Sequence, residues 1–173
     1  NTEPINARVT ICVLDEMFGL RNVKDEDFAL GYGRGAEAYV KAGARVHRLE
    51  LTDGQAQAAA EVREHRLAQT IREEGLPAFP GVLELIHAAL GRNGFRLSIA
   101  TSASRELSEA ILGAVKVPYE RMAYVSGSDV TKKKPDPQIF LIAIQRLGLP
   151  AARCVVFEDA PSGVQAAKAA GAK

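Results

Sequence analysis

Residues 154–171 read CVVFEDAPSGVQAAKAAG, and the change of period within this stretch decides what the rest of the chain must serve. Residues 154–157 are a short apolar run rich in β-branched side chains, the habit of a strand. Beyond them Val164, Ala167 and Ala170 recur at the spacing of the inner side of a helix. The stretch therefore reads as strand, turn, helix. Glu158 and Asp159 stand at the seam, followed by Pro161 and Gly163, which suit a turn. Ligands of open α/β sheets gather outside the carboxyl ends of the strands. Two adjacent acids there point either to a hard cation such as Mg2+ or to a cap on the next helix.

The same alternation extends back towards the amino terminus. A helix is expected over 137–147, with Asp136 as its cap and Pro137 in its first turn. Before it come a short strand over 122–125, a helix over 104–114, a strand over 96–100 and a helix over 81–91. Strands separated by helices of about ten residues predict a parallel sheet with helices on both faces. The segment GLPAFPG at 75–81 breaks the pattern and reads as a hinge. Ahead of it only helices are expected. They cover 3–19, with Ile5, Val9, Cys12 or Val13 and Met17 inward, then 24–30, 36–46 and 53–74. The last is opened by a Thr52–Gln55 capping box and carries Val62, Leu67 and Ile71 on its apolar side. Between the second and third lies GYGRG at 31–35, a flexible turn holding Arg34. The organisation expected is a helical domain over 1–76 and an α/β domain over 77–173.

A chain of 173 residues can bury one good core, or one core and a small satellite. Its 22 basic and 21 acidic residues are interspersed, which argues against nucleic acid or an anionic membrane as a partner. No run approaches the roughly 18 apolar residues of a membrane span. The first residues lack the pattern of a signal peptide. Cys12 and Cys154 both lie in apolar runs and are expected to be reduced and buried, as in a cytoplasmic or organellar stromal protein. His47, His65 and His87 do not cluster, and surface or boundary positions are expected for them.

Three loops at strand ends carry complementary chemistry. TSASR at 101–105 offers hydroxyls and free backbone N–H groups at a helix start, which can cradle a phosphate or simply cap the helix. The run from Asp129 to Asp136 is either solvated surface or the source of a fixed ammonium, Lys134, able to neutralise phosphoryl charge. Glu158 and Asp159 form the third. Hydroxyl, lysine and paired acids in that order suit phosphoryl transfer assisted by a divalent metal.

These motifs carry a resemblance. VVFEDAPSGVQAAKAAG resembles the fourth motif of the haloacid dehalogenase superfamily, KPDPQIF the third and SIATSAS the second, while FPGVLELIHAAL is similar to the segment re-entering the core from the cap. The branch resembled is that of β-phosphoglucomutase-like enzymes and small phosphosugar phosphatases with a helical cap. The resemblance implies an α/β fold: a Rossmann-like, three-layer parallel-sheet core with an all-helical cap domain. It implies that Thr101 bonds the transferring phosphoryl group and that Lys134 bridges that group and the nucleophile. Glu158 and Asp159 would bind Mg2+, with Asp129 in the metal's outer shell. Ser102 and Ser104 would contribute phosphate or substrate contacts, and Arg34 and Arg63 basic positions of the cap.

The family's nucleophile motif, DxDGT, has no counterpart here. Asp15 in CVLDEMFG lacks the second aspartate, the glycine and the threonine. NTEPINA at 1–7 resembles the DSEPLHA segment that follows the nucleophile directly, with Glu3 and Pro4 matching. On that placement the nucleophile and the first strand of the core are expected upstream of Asn1. Asn6 stands where the family commonly has histidine, and reads as a polar residue on a helix surface. The expected function is Mg2+-dependent hydrolysis of small phosphorylated metabolites such as sugar phosphates, through an aspartyl-phosphate. The alternatives are a phosphosugar mutase and a non-catalytic binding protein.

Overall fold

In the computed structural model, residues 2–173 are described. The helix α1 (Glu3–Phe18) begins with a proline in its first turn, where no N–H is needed for the ladder. It stops at Gly19, whose left-handed backbone returns its N–H to the carbonyls of Asp15 and Leu14. A 3-10 turn (Asp25–Gly31) leads to α2 (Ala36–Val46). The long α3 (Asp53–Glu74) opens on the expected capping box, in which Thr52 accepts from the Gln55 N–H and Gln55 accepts from the Thr52 N–H. These elements enclose a first core around Val13, Leu14, Phe28, Tyr39, Val40, Ala44, Ala56 and Ala59. The Phe28 and Tyr39 rings stack at 4.6 Å.

Two expectations for α1 are corrected. Met17 and Cys12 are exposed, while Asn6 and Thr10 take the inner face and are buried. The reason is a charge: Arg63 of α3 is also buried, and a buried guanidinium requires acceptors. It donates to the Asn6 side-chain oxygen and, at 3.0 Å, to Thr10 Oγ1. Asn6 is thus an interior residue, not a surface one.

Beyond residues 75–81 comes α4 (Val82–Leu90), which buries no residue fully. The strand β1 (Ser98–Ala100), the helix α5 (Arg105–Ala114) and the strand β2 (Ala123–Val125) follow. The strands are parallel, with Ser98 opposite Ala123 and Ala100 opposite Val125. The helix α6 (Gln138–Leu147) packs across both strands and α7 (Pro161–Ala169) packs on α6. Val125, Ile139, Phe140, Ala143, Ala166 and Ala167 form this second core. A third joins α1 and α3 to α5 through Val9, Leu67, Ala68, Ile71, Leu107 and Ala110.

The chain is therefore mostly helical, with a helical cap and one small parallel sheet. The expected three-layer sheet is not formed by the described residues, which contribute two strands. Residues 154–157, read as a strand, have no ladder. Cys154 N–H closes the preceding turn on the Ala151 carbonyl, and the remaining exchange is with the chain end, from Val156 N–H to the Lys173 carbonyl and from Lys173 N–H to the Cys154 carbonyl. Extended chain becomes a strand only beside a neighbour, and here Val155 and Phe157 face outward, Phe157 with 86% of its surface exposed. No helix among the described residues is long and apolar enough to cross a membrane.

Candidate functional site

The loops that follow β1 and β2 are knit together by their backbones. Thr101 N–H donates to the Val125 carbonyl, Gly127 N–H donates to the Ala103 carbonyl at 2.7 Å, and Arg105 N–H donates to Ser128 Oγ. Within the first loop Thr101 Oγ1 accepts from Ala103 N–H and Ser104 Oγ caps α5 by accepting from Leu107 N–H. Ser104 is therefore partly spent on the helix, whereas the half-buried Ser102 hydroxyl makes no side-chain bond among the described residues.

Lys134 and Glu158 meet, although 24 residues separate them. Nζ lies 2.6 Å from Oε2, and the two side chains are 7% and 13% exposed. The ammonium also lies 5.0 Å from the centre of the Phe140 ring, a cation–π position. Glu158 reaches it because Gly163 is a glycine: a Cβ there would collide with the Glu158 carboxyl. The other Glu158 oxygen accepts from Ala160 N–H at 3.3 Å. Asp159 is exposed and makes no bond among the described residues. Among those residues no cluster of three or more His, Cys, Asp or Glu is poised for a metal. The donor set available is Asp159 with Glu158. Two carboxylates suit Mg2+, which takes one or two protein ligands and completes its shell with water and phosphate oxygens.

Asp129 is committed elsewhere. Its Oδ2 accepts from the Ser126 N–H and hydroxyl and from Arg105 at 2.8 Å, and its Oδ1 from Arg105 and Arg146. The Ser126 backbone N–H above all, against the opposing effect of burial, holds this carboxyl down to about 2; the Ser126 hydroxyl, Arg146 and Arg105 add to it. The residue ties the loop after β2 to α5 and α6.

A cavity of about 380 Å³ opens between the cap and these loops. On the cap side it is lined by Arg34, Glu37, Lys41, Gln57, Glu61 and Glu64. Facing them are Ser102, Ser104, Gly127, Ser128 and Lys133. Three of the expected site residues, Arg34, Ser102 and Ser104, are thus brought to one cleft. Thr101, Lys134, Glu158 and Asp159 do not line it, and Arg63 is in the cap interior, 4.8 Å from the centre of the Tyr39 ring. Arg63 is a structural cation of the cap, not a wall of the cleft. The sequence reading missed Lys133, Ser128 and Lys41; Lys133 could have been found in the same lysine run as Lys134.

Comparison with known proteins adds to this geometry. Residues 11–171 match the model of the haloacid dehalogenase-like hydrolases. Protein CbbY of Rhodobacter capsulatus is 37% identical over 134 residues, spanning 72% of this chain and 58% of that protein. Hexitol phosphatase A of Escherichia coli is 34% identical over 117 residues, covering 68% of this chain and 53% of that one. The crystal structure of CbbY from Rhodobacter sphaeroides in complex with phosphate superimposes on all of this chain and 78% of its own, with a TM-score of 0.82 and 26% identity. The chain belongs to the haloacid dehalogenase-like hydrolases. It spans little more than half the length of the curated relatives just described.

Proposed function

We propose that the protein is a phosphatase of small phosphomonoesters such as sugar phosphates, with a cap over 1–76 and a Rossmann-like core over 77–173. The observation that carries this reading is the buried Lys134–Glu158 pair beside the unengaged Asp159. A buried ion pair recovers its desolvation cost poorly and is a weak device for stability. An ammonium held in that way is well suited to a phosphoryl group. Lys134 would orient the group and offset its charge, and Thr101 would donate a hydrogen bond to one of its oxygens. Glu158 and Asp159 would hold Mg2+, which supplies further neutralisation of the phosphoryl oxygens when bound. The nucleophilic carboxylate is proposed to come from sequence preceding Asn1, giving the aspartyl-phosphate route expected from the motifs.

The cleft is of a size usual for small-molecule sites, and its cap wall of Glu61, Glu64, Gln57 and Lys41 offers acceptors and donors to a hydroxyl-rich leaving group. Against the mutase alternative stands Asn6, which is buried beneath Arg63 and so has no access to a reacting hydroxyl. The test is phosphate release from a panel of sugar monophosphates by the full-length protein with Mg2+. Turnover is expected, with a loss of about 100-fold or more in Asp159→Asn. Absence of release from every ester, or undiminished turnover in that variant, refutes the assignment.

A further inference from the structure

Arg34 lies on the cleft, and within its own loop only its backbone is tied, the Arg34 N–H donating to the Gly31 carbonyl at 3.2 Å. Its guanidinium makes no hydrogen bond or ion pair among the described residues. Its neighbours Gly33 and Gly35 both have positive φ, +70° and +96°, so the backbone on either side is of the most permissive kind. Fixing such a loop costs conformational entropy that a contact from outside must offset. The Tyr32 ring leans on that of Tyr39 at 5.9 Å, and a side-chain hydrogen bond from the other side of the cleft adds to this. The hydroxyl of Ser162, in the first turn of α7, donates to the Gly33 carbonyl at 3.2 Å across 129 residues of sequence. Ser162 stands two residues past the N-cap position of α7, Ala160, and its hydroxyl is turned to the cap. The seat is also close: a Cβ on Gly33 would lie 2.8 Å from Ala160 Cβ and 3.5 Å from Ser162 Oγ.

Ser162 follows Asp159 by three residues, so the helix start next to the two acids also holds the loop of the cap's arginine. We propose that Ser162 and Gly33 are positioning residues: their contact docks the 31–35 loop on the acid loop and sets Arg34 over the cleft, where it receives the anionic substrate. The inference rests on the phosphatase reading for its consequence in catalysis, but the docking itself does not.

Two readouts separate them. The Arg34–Gly35 peptide bond is a trypsin site, and its rate of cleavage under native conditions reports how long the loop stays seated. Ser162→Ala is expected to speed that cleavage about fivefold, the worth of one hydrogen bond. In the full-length protein it should raise KM for a sugar monophosphate by a similar factor with a much smaller change in kcat. Ser162→Thr, which keeps the hydroxyl, should restore both. Gly33→Ala should reproduce the loss by steric exclusion from Ala160. Unchanged cleavage in both Ser162→Ala and Gly33→Ala overturns the docking, whatever the activity. Faster cleavage with unchanged KM overturns the role of Arg34 in substrate binding. If Asp159→Asn leaves turnover intact, the phosphatase reading fails, while the cleavage arm still decides the docking.

Discussion

Asp129 shows how a residue singled out by its motif can have partners the motif does not name. Expected in the outer shell of a metal, it accepts in the fold from two arginines and Ser126. Nothing in the local sequence reveals Arg105 and Arg146 as its partners, because they come from two other helices. The consequence for pH follows from its depressed pKa. The carboxylate form is favoured by folding, so the stabilisation is fully present above the ordinary value of 3.8 and is lost as pH falls through about 2. Asp129→Asn is expected to cost about 1–2 kcal/mol near pH 6, with the gap from the parent closing as the pH approaches 2. Urea unfolding of both proteins at a series of pH values measures it; a gap independent of pH would contradict the ion-pair account. Asn6 and Arg63 were misread for a related reason. Helical periodicity assigns faces by polarity, and a polar residue that is buried to satisfy a distant cation breaks the rule. The hint available was that Asn6 and Thr10 lie one turn apart, on the stripe that also holds Val9 and Val13.

At the level of elements, local signals carried most of the fold. The limits of α2 and α3 agree with those expected from capping and periodicity, because Thr52 and Gln55 satisfy orphan N–H groups without help from elsewhere. Thr52→Ala should therefore cost about 1 kcal/mol in chemical denaturation, and no cost would mean that α3 is held by its packing alone. Residues 154–157 mark the opposite case. A helix closes its own hydrogen bonds, whereas a strand depends on a partner that its own sequence does not describe. The apolar run was legible; its lack of a ladder was not. The site divides in the same way. Lys134 and Glu158 were legible as motif residues, but the glycine at 163 that lets them meet, and the cap loop seated on Ser162, emerge only in three dimensions.

For the molecule as a whole, the seam between α3 and α5 matters most, since Leu67 and Ile71 pack there against Leu107 and Ala110. Leu107→Ala should lower stability by about 2–4 kcal/mol, read from the urea midpoint, and a loss below about 1 kcal/mol would show that the seam is loosely made. At 22 residues α3 runs about 33 Å, long enough to belong to the cap core with one half and to this seam with the other. A pivot at residues 75–81 would swing the rod and tear its lower half from α5. Opening of the cleft is therefore tied to this seam: a pivot parts Leu67 and Ile71 from Leu107 and Ala110, whereas a shear of α3 along α5 keeps them packed.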